Sequence, residues 1–225
     1  MPRLNAPQMV TNSRMLYFTW VPADPAAVRA LVPAALDVAE NAQCFINQYV
    51  VDHADQTSGF EPYSLTYAGA DLSGQNTPDD AVPGRWWTHY FNSNEEMREY
   101  AAARGVPAGP GSTTLEITDG ILTATTSADG TPVIRTTVRV GDEIAVVGRG
   151  QLRYITDVNG QLTSGLYPFV AGIVQPWEVL SMEFLDPTHP VYALRPADPL
   201  EVTWGFYSPN ASFCYPGGEG PLGSN

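Results

Sequence analysis

Three Asx-Gly dipeptides, Asp119-Gly120, Asp129-Gly130 and Asn159-Gly160, punctuate the middle of this chain, each between β-branched or apolar runs. An Asx-Gly pair is the residue choice for a type I′ turn, whose two central residues both need positive φ, and that turn matches the twist of a two-stranded hairpin. The flanking runs 113–118, 121–126, 133–140 and 145–156 therefore read as consecutive antiparallel strands. A meander of that kind favours a barrel or a strongly curved sheet.

The N-terminal half mixes strands with short helices. Residues 15–20 are rich in aromatics and predict a strand. Asp24 is a good N-cap, Pro25 suits the first helical position and Pro33 stops the turn, so 24–32 predicts a helix. Runs 44–52, 63–72 and 85–92 predict further strands, the last being the most aromatic in the chain. Simple alternation there puts Trp86, Thr88 and Tyr90 on one face and Trp87, His89 and Phe91 on the other. Ser93 or Asn94 can cap a helix that opens on Glu95 and closes at Arg104, with Gly105 in the left-handed C-cap position. The apolar run 168–177 reads as a short helix or a loop lid, and 200–207 and 211–215 as closing strands. No repeat or long linker divides the sequence. The expectation is one domain over 1–225, with a flexible Gly-rich tail at 217–225.

Charge removes several partners. A formal net charge of −13 opposes binding to nucleic acid or an anionic membrane, since phosphate recognition needs clustered cations. No apolar run reaches the length of a membrane helix, and residues 1–10 lack the basic-then-apolar order of a secretory signal. The expected location is cytoplasmic, with Cys44 and Cys214 reduced. The three histidines form no HxH or HExxH pattern, and there is no CxxC, so no metal is expected. Dinucleotide, Walker and GxSxG signatures are also missing, which predicts chemistry without a cofactor.

A set of motifs in order carries a family likeness: Arg14, Tyr17-Phe18, the helix that stops at Pro33, Thr57-Ser58-Gly59, Pro62-Tyr63, and the stretch Arg104-Gly105-Val106-Pro107-Ala108-Gly109-Pro110-Gly111. Over residues 14–127 the chain resembles the acetoacetate decarboxylase family. The resemblance implies an α+β fold, an antiparallel β-barrel or cone with a few short helices, around a closed and largely apolar cavity. It places the family's first-strand arginine at Arg14 and its two pocket glutamates near Leu65 and Ile46. The Schiff-base lysine falls at Ala108 and its lysine neighbour at Gly109. All eleven basic residues of this chain are arginine, so no side chain can form the family's iminium intermediate.

What the resemblance leaves is a scaffold with different polar groups. Arg14 can polarise a carbonyl or hold a carboxylate, Tyr63 can donate to a developing oxyanion, and His89 can move a proton. These three are the catalytic candidates. Leu65, Trp87, Tyr90, Phe91, Ala108 and Glu116 are the candidates for lining a substrate site, Glu116 also serving as a base if it faces inward near His89. Each has a plainer reading as an ion-paired surface residue, core aromatic or subunit contact, and His53 and His189 read as surface groups. The expected function is a cofactor-independent enzyme of small-molecule, secondary metabolism. It would act on a carbonyl-bearing, largely apolar substrate by cyclisation, dehydration or related lyase or isomerase chemistry. The alternative is a non-catalytic carrier of a lipophilic molecule in the barrel cavity. The aromatic excess is compatible with a homo-oligomer.

Overall fold

The computed structural model describes residues 5–79 and 81–223. The three expected turns form as written: Asp119, Asp129 and Asn159 have φ of 51°, 48° and 55°, and the glycine after each is also positive. They connect β5 (Ala108–Thr118), β6 (Ile121–Ala128), β7 (Thr131–Val158) and β8 (Gln161–Phe184) into an antiparallel meander. Ahead of it come β1 (Gln8–Trp20), α1 (Pro25–Ala30), β2 (Cys44–Val51), β3 (Tyr63–Asp71), β4 (Arg85–Asn92) and α2 (Glu95–Ala102), and behind it β9 (Val202–Tyr215) and β10 (Gly220–Pro221). Asp24 accepts from the backbone N–H groups of Ala26 and Ala27, and Asn94 accepts from Met97, so both helices are capped as the sequence predicts. Gly105 has φ +74°, and a Cβ there would sit 2.1 Å from the Asp157 carbonyl oxygen.

All ten strands belong to one sheet, in the order β10-β8-β7-β6-β5-β4-β3-β2-β1-β9. Two extra pairings bend it into an uneven closed ring. β9 pairs with β8 at Phe169–Phe213, and β4 pairs with β7 at Arg85–Tyr154. Strands β7, β8, β9, β1, β2, β3 and β4 thus enclose a barrel, while β5 and β6 fold over its flank. Alternation on β1 and β2 separates two cores. Tyr17, Phe45 and Tyr49 point into the barrel; Leu16, Phe18, Trp20 and Ile46 point out against Leu115, Leu122, Ile134 and Val138 of the meander. Val28 of α1 and Val191 and Leu194 of a short 3-10 turn cover that second core.

Three expectations about elements change. Residues 168–177 are neither helix nor lid but part of β8, paired along its length with β7. Pro176 is accommodated in the strand because it faces the bulge between Val140 and Glu143, where the ladder does not need its N–H. The runs 133–140 and 145–156 are one strand of 28 residues, bent by bulges rather than broken. The tail is held at least to Leu222: β10 pairs with Ser164 and Thr163, Glu219 accepts hydrogen bonds from Arg104 and Tyr154, and Leu222 donates to Leu162. Residues 224–225 of that tail lie outside the described residues. Among the described residues no helix is long and apolar enough to cross a membrane, and both cysteines are free.

Candidate functional site

The barrel interior takes its character from one irregularity in β4. Ala68 pairs with His89 but Gly69 pairs with Trp87, leaving Thr88 as an extra residue. Gly69 makes room for it, since a Cβ there would stand 1.9 Å from the Trp86 carbonyl oxygen. Thr88 fixes the bulge by donating from its hydroxyl to the Ala68 carbonyl at 3.1 Å. The consequence corrects the simple alternation. Trp87 and Tyr90 both face the barrel interior, while Trp86, His89 and Phe91 lie on the opposite side.

Inside the barrel the side chains are mostly aromatic, tyrosine above all, and closely packed. Trp87 stacks on Tyr67 at 4.5 Å and on Tyr154 at 5.1 Å. Tyr49 and Tyr63 share a hydrogen bond of 2.9 Å, and Tyr67 shares a short one with Tyr167 while accepting from Asn47 Nδ2 at 2.8 Å. Burial pushes every one of these phenols upward, so each is a neutral hydroxyl at ordinary pH. The closed, largely apolar cavity expected here is largely filled: small spaces of about 20 Å³ each lie beside Tyr17, Asn47 and Phe206, and under α2 beside Trp87 and Tyr100.

The first residue of β4 is the charged group of this interior. Arg85 is 4% exposed, pairs across the ladder with Asp71, and donates from Nε to Asp71 Oδ1 at 3.0 Å. Its guanidinium lies 5.0 Å above the Tyr17 ring and 5.2 Å above Phe45. Asp71 is oriented in turn by Gln43 Nε2 at 2.6 Å, and Gln43 accepts from Thr203 at 2.7 Å. Burial opposes a charge on Arg85, but Tyr17 and Asp71 outweigh it and its pKa is raised. Nη1 of Arg85, the Tyr17 hydroxyl and Asn47 Oδ1 are buried without a hydrogen-bond partner. A buried polar group left unmet is costly, and a cluster of such donors and acceptors marks a place where something polar can bind.

That cluster lies beside an open cleft of about 420 Å³, bounded by Asp71 and Arg85, by Asp79, Ala81, Val82 and Pro83, by Arg149 to Leu152 of β7, and by Phe169 and Trp204. Leu152, Phe169 and Trp204 also line the small space next to Tyr17 and Asn47, so the two adjoin. Trp204 is 53% exposed and sits edge-on to Tyr17 at 5.6 Å. The arrangement is a concave, largely apolar surface with a fixed cation and neutral hydroxyls at its depth, which suits a small molecule carrying an oxygen anion or carbonyl.

The residues singled out from sequence divide between the two faces. Tyr63, Leu65, Trp87 and Tyr90 are inside the barrel, and Ala108 stands next to Tyr90 in a short parallel ladder, half-buried against the same core. Arg14 is elsewhere: its guanidinium grips Asp52 at 2.7 and 2.8 Å and donates to the Leu115 carbonyl at 2.6 Å. That pairing holds Arg14 above and Asp52 below their usual pKa. His89 stacks with Phe91 at 5.9 Å and His189 at 6.0 Å in the outer core, and burial, then His189, pushes its pKa down to about 4. His189, expected at the surface, is half-buried there, accepting from Val191 N–H through Nδ1. Glu116 is exposed, because β5 turns Thr113 and Leu115 inward. Arg14, Tyr63 and His89 are therefore not brought together. Sequence reasoning passed over Arg85 and Asn47, although a charged residue two before Trp87 and a polar one inside the apolar run 44–51 were readable signals. Among the described residues no group of acidic, His or Cys side chains is arranged to hold a metal ion.

No protein-family model matches the sequence, and no curated protein is significantly similar to it. Solved structures do match. A Legionella pneumophila acetoacetate decarboxylase aligns with a TM-score of 0.70 at 13% identity, over 99% of this chain and 91% of its own. The enduracididine biosynthesis enzyme MppR, solved with pyruvate, aligns with a TM-score of 0.67 at 13% identity, over 98% and 92%. An acetoacetate decarboxylase-like enzyme from Sphingomonas wittichii RW1 gives 0.62 at 16% identity, over 97% and 93%. The fold is acetoacetate decarboxylase-like.

Proposed function

From an acetoacetate decarboxylase-like scaffold that holds no lysine, we propose a cofactor-independent enzyme of small-molecule metabolism acting on a carbonyl-bearing, largely apolar substrate. The observation that carries this reading is the buried, unpaired Nη1 of Arg85 beside the cleft. The substrate oxygen meets that donor, and its apolar body lies along Phe169 and Trp204. A guanidinium fixed by Asp71 stabilises an enolate or tetrahedral oxyanion without reorganising, which is the main economy of a preorganised site. Tyr17, neutral because burial raises its pKa, supplies a proton donor 5.0 Å from ring centroid to guanidinium carbon. Polarisation plus proton donation in a dry site suits cyclisation, dehydration or a related lyase or isomerase step. The structural neighbours are enzymes, and MppR was also solved with the condensation product of pyruvate and imidazole 4-carboxaldehyde. They support carbonyl chemistry on this scaffold.

The test uses phenylpyruvate, which joins a ketone and carboxylate to an apolar ring. Saturable quenching of tryptophan fluorescence is expected, weakened at least about tenfold when Arg85→Met is combined with Asp71→Asn, the loss of one charge-assisted hydrogen bond. Equal binding by the double variant would remove Arg85 from the site. Product formation, followed by mass spectrometry, separates an enzyme from a carrier, which binds the probe and returns it unchanged. Borohydride added with the ketone should leave no adduct on any side chain.

A further inference from the structure

Over residues 142–152, β7 pairs with β8 alone: β6 leaves it at Arg139, and β4 joins only at Tyr154. Its outer edge therefore presents unpaired backbone donors and acceptors, and among the described residues no other segment's backbone bonds to it. The side chains on this ribbon are apolar and outside. Val147 is 65% exposed, Val146 54% and Ile144 47%. An open, apolar edge is a template for another strand, and proteins guard such edges with lysine or proline; this one carries neither. The guard it has is a pair of bulges near its start, around Glu143 and Ala145.

The charges on this edge indicate which strand fits. Asp142 and Glu143 stand at one end and Arg149 at the other, each without an ion pair in the described chain. Antiparallel pairing of the edge with itself, about a twofold axis at Val146, sets Glu143 of each copy opposite Arg149 of the other. Moving the axis half a residue sets Asp142 there instead. The bulges displace the acidic end by about one residue, roughly 3.3 Å, which the arginine side chain spans. Self-complementary charge on a self-complementary edge is the condition for an isologous twofold contact.

We propose that this edge is the interface of a homodimer in which two β7–β8 ribbons join as one antiparallel four-stranded sheet, with Asp142 and Glu143 of each copy against Arg149 of the other. The proposal does not depend on the chemistry assigned to the barrel. Because Arg149 also bounds the cleft beside Arg85, each copy's acidic pair stands at the rim of the other's cleft.

Charge exchange tests it. Arg149→Glu and the double change Asp142→Arg/Glu143→Arg are made separately, and mass is measured by light scattering at about 10 µM protein, where a contact of micromolar strength is populated. The wild type is expected at twice the 24.3 kDa of one chain, and each variant at 24.3 kDa with unchanged circular dichroism. An equal mixture of the variants restores two complementary contacts and the double mass. A wild type of single-chain mass, or an assembly that either reversal leaves intact, overturns the interface. Variants that separate but do not rejoin on mixing overturn the pairing of Arg149 with the acidic doublet.

Discussion

Removing Arg85 alone and removing it together with Asp71 should have opposite costs, and the contrast separates what this arginine does for the fold from what it does for a ligand. Arg85→Met leaves the Asp71 carboxylate buried, with Gln43 as its remaining side-chain donor. Breaking one side of a buried pair costs about 3–5 kcal/mol, because the orphaned charge stays desolvated. The lost contacts over Tyr17 and Phe45 add roughly 0.5–2 kcal/mol. For a chain of this size each kcal/mol moves Tm by roughly 2–4 °C, so the single variant should melt about 10 °C or more below wild type. Adding Asp71→Asn removes the stranded charge and keeps a group that can accept from Gln43. Most of the loss should return, since replacing both members of a buried pair is often neutral. Thermal unfolding by circular dichroism reads both numbers, and fluorescence titration with phenylpyruvate is run on the same samples. Stability restored with binding still lost is the expected pair of results. A single variant within about 1 kcal/mol of wild type would refute the reasoning, since a guanidinium so easily dispensed with is not the locked charge argued here.

Other changes test the surroundings. His89 is held near pH 4 in the fold against an ordinary value near 6.5, so the unfolded chain takes up its proton first as pH falls. The corresponding stability is whole above about pH 6.5 and is lost down to about pH 4, at most about 3 kcal/mol, and His89→Gln should remove that part of the slope in denaturant titrations. Gly69→Ala drives a methyl into the Trp86 carbonyl oxygen and should cost about 1–3 kcal/mol or more. Its near-ultraviolet dichroism should also change, because the stacking of Trp87 on Tyr67 depends on the bulge; an unaltered aromatic signal would mean that the bulge does not set that face.

Much of this molecule is written locally and could be read. The Asx-Gly turns, the caps at Asp24 and Asn94 and the positive φ of Gly105 are each decided within four residues, and each appears where the sequence puts it. What was misjudged depends on a neighbouring strand. The Thr88 bulge needs Gly69 opposite it, nineteen positions away, and nothing inside 85–92 announces it. Without the bulge, alternation assigns His89 and Phe91 to the same face as Trp87 and keeps Tyr90 apart, and the candidate residues are then sorted onto the wrong faces. Region 168–177, read as a short helix or lid, is likewise settled as a strand by its partner across the ladder. Pro176 is acceptable only because β7 bulges across from it. The family likeness pointed to the barrel and to Ala108 within it, but position by position it could not supply Arg85, which stands on a different strand from the arginine the likeness led one to expect at Arg14.

The tyrosines show how a barrel of this fold is filled in a chain without lysine. Nine of the chain's eleven tyrosines belong to the barrel core. Each has a ring large enough to fill space that a charged side chain and its water would otherwise occupy, and several meet their hydroxyl with a neighbouring group, as Tyr49 does for Tyr63 and Asn47 for Tyr67, while those of Tyr17, Tyr100 and Tyr215 stay unmet. Burial raises the pKa of these phenols and so fixes them as donors. A lysine amine of depressed pKa is a nucleophile, whereas a buried phenol of raised pKa is a proton donor and little else. A core filled with such phenols offers hydrogen-bond donors and no amine nucleophile. Among the described residues the permanent positive charge buried inside is that of Arg85, held by its carboxylate partner and the Tyr17 ring beneath it.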